Sequence, residues 1–112
     1  MQLWREEVFG PVLAITSFRT EVEAIMLAND SNYGLAGGVW TSDTDKGARV
    51  AALVNSGTVY INHYRSVDPG SPIGGIKQSG YGRELGPGAI KDFLQVKSIW
   101  TGTIRVADPF PD

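Results

Sequence analysis

The chain has 112 residues, of which 42% are apolar, so it can form one ordinary domain and is too apolar for a disordered tail. Ten basic and twelve acidic residues give a formal net charge of -2, without the clusters of lysine and arginine that bind nucleic acids or membrane surfaces. The longest apolar runs are far shorter than the ~20 residues that span a bilayer, and no signal segment follows Met1. We therefore expect a cytoplasmic protein with no nucleic-acid and no membrane partner.

Cysteine is absent, which excludes disulfides, thiolate metal ligands and a cysteine nucleophile within this chain. A metal site would need carboxylates, and no suitably spaced acidic cluster is present, so we expect no metal. The single histidine, His63, is not part of a recognisable catalytic triad. We interpret it as a satisfied surface or core residue and expect no catalytic residue in this chain.

The opening segment REEVFGPV raises a specific question. Gly10 and Pro11 are typical of a turn that leads into a strand. A surface loop alone does not explain Glu6, Glu7 and Phe9. The two sequential carboxylates point in different directions in any regular structure, which argues against a paired-carboxylate glycosidase site.

The first predicted elements are a strand and a helix. Val12–Phe18 is a short apolar run typical of a buried strand. Thr20 then begins a capping box, in which its hydroxyl accepts from the Glu23 amide while the Glu23 carboxylate reaches back. The helix that follows is predicted to end around Asn32 to Gly34, a plausible left-handed exit.

The next elements repeat this order. Leu35–Thr41 predicts a second strand, Ser42 and Asp43 offer the cap of a second helix that Gly57 can close, and Thr58–Tyr64 predicts a third strand. Alternating strands and helices with short joints predict parallel pairing and right-handed crossovers, so we expect an α/β fold.

The end of the chain is less regular. After the irregular stretch 65–87, we predict a short helix near Gly88–Leu94 and a final strand within Val96–Val106. Two linking helices cannot cover both faces of three parallel strands, so we expect only part of a three-layer sheet. The isolated chain should expose hydrophobic sheet surface or a strand edge, which points to missing sequence or a partner.

The stretch SPIGGIKQSGYGRELG, residues 71–86, contains five glycines but fits no phosphate loop. Lys77 lacks the preceding glycine and following hydroxyl of a nucleotide-triphosphatase loop, and the glycine spacing misses the dinucleotide fingerprint. We expect these glycines to permit a tight path past other backbone or a ligand. Lys77, Arg83 and Glu84 are expected to hold the loop by ion pairs.

Four motifs, REEVFGPV, NYGLAGGVW, GTVYIN and SPIGGIKQSGYGRELG, occur in an order and spacing that resemble the C-terminal part of the NAD(P)-dependent aldehyde dehydrogenase catalytic domain. The tail KSIWTGTIRVADPF is similar to the closing segment of bacterial members. The resemblance implies that residues 1–95 belong to the catalytic domain, and that residues 96–112 form a C-terminal strand that takes part in oligomer contacts. It also implies that Asp112 matches the C-terminus of the family's enzymes, and that Met1 does not match their N-terminus.

The resemblance implies a cofactor, NAD or NADP. Glu7 matches the glutamate that accepts hydrogen bonds from the nicotinamide ribose, since a carboxylate can serve two neighbouring hydroxyls. Phe9 matches the aromatic residue beside the nicotinamide, and Leu35 matches a further residue that lines that site. Gly10 and Pro11 then turn the chain into the strand.

The resemblance also implies a substrate tunnel. Ile73 stands where the family usually has phenylalanine, and the loop around Val67 lines the same tunnel. A branched aliphatic group in place of a ring should alter the pocket's shape. Asn62 and Lys77 match structural residues near the active site.

In the resembling enzymes a cysteine thiolate attacks the aldehyde, hydride passes to the nicotinamide, and a glutamate-activated water releases the acid. Without a cysteine, the isolated chain is expected to be inactive. Its expected partners are a small-molecule aldehyde, the rest of the dehydrogenase and the other subunits of a homo-oligomer. The alternative hypothesis is a truncated, noncatalytic module that binds full-length subunits or has no activity.

Overall fold

The computed structural model describes residues 2–103, 107 and 109–110. Within them the elements alternate between short helices and short strands. In chain order they are a 3-10 turn Gln2–Trp4, helix α1 Glu21–Asn29, strands β1 Tyr33–Gly34 and β2 Ala36–Val39, helix α2 Thr44–Leu53, strands β3 Thr58–Ile61 and β4 Ile76–Lys77, and a 3-10 helix Ala89–Phe93.

A parallel β-α-β unit is the centre of the fold. Strands β2 and β3 pair in parallel with Gly37 opposite Val59, and α2 joins them and packs on both. The helix lies close to the strands because Gly47 has no side chain: a Cβ there would lie 2.9 Å from Cγ2 of Ile61. The α/β class and the parallel crossover are therefore as the alternating pattern predicts.

Both predicted helix starts are present. The Thr20 hydroxyl accepts a hydrogen bond from the Glu23 amide at 3.2 Å, and the Asp43 carboxylate accepts from the Lys46 amide at 2.9 Å. The Glu23 carboxylate reaches back one residue further than expected, to the amide of Arg19 at 2.7 Å. Local side-chain chemistry thus sets where each helix begins.

The predicted strand Val12–Phe18 is wrong for this chain. These residues form no ladder within the described part of the chain, and their apolar side chains are exposed, with Leu13 at 81% and Ile15 at 86%. A strand is stabilised by hydrogen bonds to a neighbouring strand, and none of the described strands lies beside this run. Among residues 2–103, two parallel strands form in place of three.

Several predicted boundaries also move. Strand β3 ends at Ile61, because Asn62 adopts a left-handed conformation with φ 51°. Helix α1 ends at Asn29, well before Gly34. Helix α2 ends at Leu53, so Gly57 does not close it.

The two predicted C-terminal elements differ in outcome. The predicted short helix near Gly88–Leu94 is present as the 3-10 helix Ala89–Phe93. No strand forms in residues 96–103, and residues 104–106 lie outside the described part of the chain.

The described residues contain no buried hydrophobic side chain. The chain exposes 9968 Å², compared with roughly 6,000 Å² for a compact protein of this mass. Its radius of gyration is 22.8 Å, compared with about 13 Å for a compact chain of this length. The apolar side chains of β3 are therefore only half-buried, and large ones elsewhere, such as Leu13 and Ile15, are exposed. The count of helices and strands predicts this exposed hydrophobic surface.

Candidate functional site

The candidate site lies at the carboxyl edge of the parallel pair. Val39 and Ile61 end their strands at the same edge, and ligands of open α/β sheets bind outside it. Asn62, directly after β3, holds the two strand ends together. Its Oδ1 accepts from the Thr41 amide at 2.8 Å, and its Nδ2 donates to the Thr41 carbonyl at 2.7 Å. This side chain thus extends the strand pairing beyond the last residue of the ladder.

The loop that follows carries the predicted tunnel residues. The Tyr60 hydroxyl donates to the Ser66 carbonyl at 2.9 Å, which fixes the loop just before Val67, whose side chain is 60% exposed. Ile73 is half-buried and exchanges two backbone hydrogen bonds of 2.8 Å with Glu84. Val67 and Ile73 thus lie in a loop that is closed at both ends.

The glycine-rich loop packs against backbone. A Cβ on Gly57 would lie 1.7 Å from the Gly74 carbonyl oxygen, and one on Gly74 would lie 2.3 Å from the Gly82 carbonyl oxygen. A Cβ on Gly75 would lie 2.7 Å from the Ser79 carbonyl oxygen. These contacts show the tight path past other backbone that the sequence predicts, and they explain Gly57, Gly74 and Gly75 without a phosphate.

The predicted ion pairs of this loop are wrong. Lys77 donates from Nζ to the carbonyls of Asn29 at 3.1 Å and Ser31 at 2.9 Å. Arg83 donates from Nη1 to the Gly75 carbonyl at 2.7 Å. In the described part of the chain the ion pairs involve other residues. Lys77 and Arg83 bind backbone carbonyls because they lie beside a helix end and a tight turn, where carbonyl oxygens can accept a further hydrogen bond. The Asn29 carbonyl, for example, also accepts from the Ser31 amide at 2.9 Å.

Sequence reasoning missed the residues that follow α1, which we call the exit segment, 29–34. The Asn29 side chain donates to the Leu53 carbonyl at 2.8 Å and accepts from the Asn55 amide at 2.6 Å. The amide of Gln78 donates to the Asn32 carbonyl at 3.0 Å. The exit segment therefore connects α1 with the end of α2 and with the glycine-rich loop. An asparagine near a helix end was the only signal in the sequence.

The same segment anchors the N-terminal turn. Trp4 donates from Nε1 to the Asp30 carbonyl at 2.8 Å, and Arg5 forms an ion pair with the Asp30 carboxylate at 2.8 Å. Glu7 and Phe9 follow this anchor on exposed backbone, and Phe9 is 94% exposed. No hydrogen bond or ion pair engages the Glu7 carboxylate within the described residues.

Leu35 lies between β1 and β2, and its carbonyl accepts from the Thr58 amide at 3.2 Å. Its side chain is 57% exposed. The structure thus groups Leu35, Asn62 and the glycine-rich loop around the parallel pair. Glu7 and Phe9 are connected to this group only through the exit segment, and no hydrogen bond among the described residues joins them to it directly.

One charged cluster links the two helices. The hydrogen bond and the positive charge of Arg49 lower the pKa of Glu21, with a smaller contribution from Lys46, and the same pairing raises the pKa of Arg49. Lys46 lies 3.7 Å from the Glu21 carboxylate. The first residue of α1 is thereby tied to α2.

Other kinds of site find little support in the described residues. No group of three histidine, cysteine or acidic side chains could hold a metal ion there. His63 is exposed and meets the Tyr60 ring edge-on at 6.3 Å between centroids, as expected of a surface residue. No helix in the described part is long and apolar enough to cross a membrane.

Comparison with known proteins identifies what this arrangement resembles. The model of the aldehyde dehydrogenase family matches residues 1–99. The chain is 48% identical over 103 residues to betaine aldehyde dehydrogenase from Bacillus subtilis, covering 92% of this chain and 21% of that protein. It is also 48% identical over 99 residues to the chloroplastic betaine aldehyde dehydrogenase of Beta vulgaris, covering 88% of this chain and 20% of that protein.

Solved structures agree with the sequence matches. Betaine aldehyde dehydrogenase from Staphylococcus aureus in complex with NAD+ superposes with a TM-score of 0.85 at 47% identity, covering 96% of this chain and 22% of that one. Mycobacterium tuberculosis aldehyde dehydrogenase complexed with NAD+ gives 0.83 at 50% identity, with the same coverage. The chain therefore spans about a fifth of the length of the proteins that it matches.

Proposed function

Because this chain belongs to the aldehyde dehydrogenase family, we propose that it forms the C-terminal part of an enzyme that oxidises an aldehyde to a carboxylic acid with NAD or NADP. The observation that carries the proposal is the match along nearly the whole chain, in sequence and in structure, to a dehydrogenase solved with NAD+. The exposed apolar side chains of Val12–Phe18 support it as well, because such side chains are normally covered by other parts of a folded protein.

In this proposal Glu7, Phe9 and Leu35 contact the cofactor. The Glu7 carboxylate is exposed and unengaged among the described residues, so it is free to accept from the two ribose hydroxyls at once. The Phe9 ring is 94% exposed and can pack beside the nicotinamide. These side chains fit the dinucleotide's polar and planar groups, and the anchor of Trp4 and Arg5 on Asp30 fixes the turn that carries them.

Val67 and Ile73 are proposed to line the aldehyde tunnel, and Asn62 and Lys77 to hold its walls. Asn62 acts by joining the ends of β2 and β3. Lys77 acts by fixing the glycine-rich loop to the carbonyls at the end of α1. Both are positioning residues, since they act on the site through the backbone that they hold.

The bound nicotinamide supplies the hydride acceptor of the reaction. This chain's part is to bind the ribose through Glu7, to restrict the nicotinamide pose through Phe9, and to shape the approach of the aldehyde. It contains no cysteine, so in this proposal the nucleophile comes from the rest of the enzyme. We further propose that residues 1–95 belong to the catalytic domain, and that residues 96–112 form a tail for contacts in a cytoplasmic homo-oligomer.

The test is a hybrid enzyme, in which this chain replaces the matching segment of the Bacillus subtilis relative. The proposal predicts aldehyde-dependent reduction of NAD or NADP by the hybrid. The isolated chain, and the relative truncated before that segment, should both be inactive. A soluble, folded hybrid without activity toward any aldehyde would contradict the proposal.

The absence of cysteine and the open sheet also suit the second candidate, a noncatalytic module that binds full-length subunits. Two mixtures distinguish the enzyme part from the noncatalytic module: the isolated chain with the truncated relative, and the isolated chain with whole subunits. Activity regained with the truncated relative supports the enzyme part. Binding to whole subunits without any gain of activity supports the module.

A further inference from the structure

We propose that Arg65 is a specificity-determining residue, which favours aldehydes that carry a carboxylate over aldehydes that carry a quaternary ammonium group. The inference rests on the proposed function, because it assigns a substrate class to the same site. Arg65 lies a few residues after β3, in the loop that begins at the carboxyl edge of the parallel pair. Open α/β sheets bind ligands outside this edge. It precedes the proposed tunnel residue Val67 by two positions.

The backbone at Arg65 is held in a left-handed conformation, with φ 57°. Such a conformation is uncommon for a residue other than glycine, and arginine lacks the short polar group that eases it for asparagine. Contacts on both sides hold it. On the N-terminal side of Arg65, the Asn62 side chain accepts a hydrogen bond from the Thr41 amide. On the C-terminal side, the Ser66 carbonyl accepts a hydrogen bond from the Tyr60 hydroxyl. The backbone from which the Arg65 side chain starts is therefore held from both sides.

The side chain is held by a ring and lacks a counter-charge. The Arg65 Cζ lies 5.8 Å from the centroid of the Tyr64 ring, a cation-π distance, and Tyr64 meets Tyr60 edge-on. Asp68, the nearest acid along the chain, accepts from the Gly70 amide at 2.7 Å. No carboxylate pairs with Arg65 within the described residues. Its planar fork of donors is the geometry that binds a carboxylate in a bidentate manner.

The same features disfavour a cationic substrate. Betaine aldehyde, after which several similar proteins are named, carries a permanent trimethylammonium charge. Proteins bind such groups against open aromatic faces, but here Arg65 lies over the Tyr64 ring and Ile73 is aliphatic. A positive charge two residues from the proposed tunnel residue Val67 attracts a carboxylate and repels an ammonium group.

The experiment measures kcat/KM of the hybrid enzyme and its R65Q variant for three aldehydes: succinic semialdehyde, which is anionic, butanal, which is neutral, and betaine aldehyde. For an exposed charge we expect R65Q to lower the value for succinic semialdehyde by about two- to fivefold and to raise the value for betaine aldehyde by a similar factor. The value for butanal should not change. R65K keeps the charge but not the planar fork, so it should keep the disfavour of betaine aldehyde and lose part of the preference for succinic semialdehyde. Added salt should reduce both effects. K91Q removes one positive charge from the 3-10 helix and should leave all three values unchanged.

The outcomes separate the inference from the proposed function. A hybrid that oxidises aldehydes, but whose three values change equally or not at all in R65Q, overturns the inference and leaves the proposed function intact. If the hybrid oxidises no aldehyde, the proposed function fails. Grafting residues 62–71 into the whole Bacillus subtilis relative, with and without R65Q, then still tests the loop. A graft in which R65Q shifts no charge preference overturns the inference.

Discussion

Replacing Gly57 with alanine should damage the site from a distance, because Gly57 is where the start of β3 meets the glycine-rich loop. The new Cβ would lie 1.7 Å from the Gly74 carbonyl oxygen, whereas real Cβ contacts essentially never fall below 3.0 Å. The two backbones would have to separate by about 1.3 Å, the difference between those distances. Neither atom belongs to a flexible side chain that could move away.

Overpacking of this kind costs about 1 to 3 kcal/mol, and the backbone clash places G57A at or above the upper end. The shift also moves Gly74, the neighbour of Ile73 in the proposed tunnel. We therefore expect the G57A hybrid to have a lower Tm and a higher KM for aldehydes. G82A is the matched control, since a Cβ at Gly82 would meet nothing within 4 Å.

Thermal unfolding and steady-state kinetics on the two variants provide the measurement. The reasoning requires a clear loss of stability in G57A and near-normal behaviour in G82A. If G57A were as stable and as active as G82A, the close approach of β3 and the glycine-rich loop would not exist in the assembled enzyme.

Two further predictions concern the residues that connect the elements. The lowered pKa of Glu21 means that its contribution to stability is fully present above the ordinary value of 4.5 and is lost as the pH falls through the folded-state pKa. The Tm difference between the hybrid and its E21Q variant should therefore be present near neutral pH and vanish in acid; a difference that persisted in acid would contradict the pairing with Arg49. K77M removes the ammonium donor from the Ser31 carbonyl and from the Asn29 carbonyl, which keeps its bond from the Ser31 amide. It should therefore cost about 1 kcal/mol of stability and raise the KM for aldehydes, with partial rescue by K77R. Steady-state kinetics and thermal unfolding of K77M check this prediction. An unchanged KM for aldehydes would show that the glycine-rich loop is held by other contacts.

The sequence predicts well those features that depend on residues close together in the chain. Thr20 and Asp43 cap the helices as predicted, because a cap needs only a hydroxyl or carboxylate close to the amides that it binds. The parallel pair β2 and β3 also follows, because the strand and helix pattern leaves little freedom for their connection.

What the sequence does not predict depends on distant neighbours. Val12–Phe18 has the residues of a strand but no strand beside it in the described chain. Lys77 binds carbonyls at the end of α1, which no charge pattern reveals. The role of Asn29 in the exit segment and the contact between Gly57 and Gly74 likewise become visible only once the chain is folded. For the site, this means that motifs identify candidate residues while their supports come from tertiary structure.

The most direct test of the proposed cofactor role compares two neighbouring carboxylates in the hybrid enzyme. Glu6 accepts a hydrogen bond from the Gln2 side chain at 2.8 Å, whereas Glu7 is unengaged among the described residues. The measurement is the KM for NAD of E7Q and of E6Q. Our proposal predicts an increase of about tenfold or more for E7Q, the effect of weakening charge-assisted hydrogen bonds, and no change for E6Q. An equal KM for NAD in the two variants would contradict the claim that this chain binds the nicotinamide ribose.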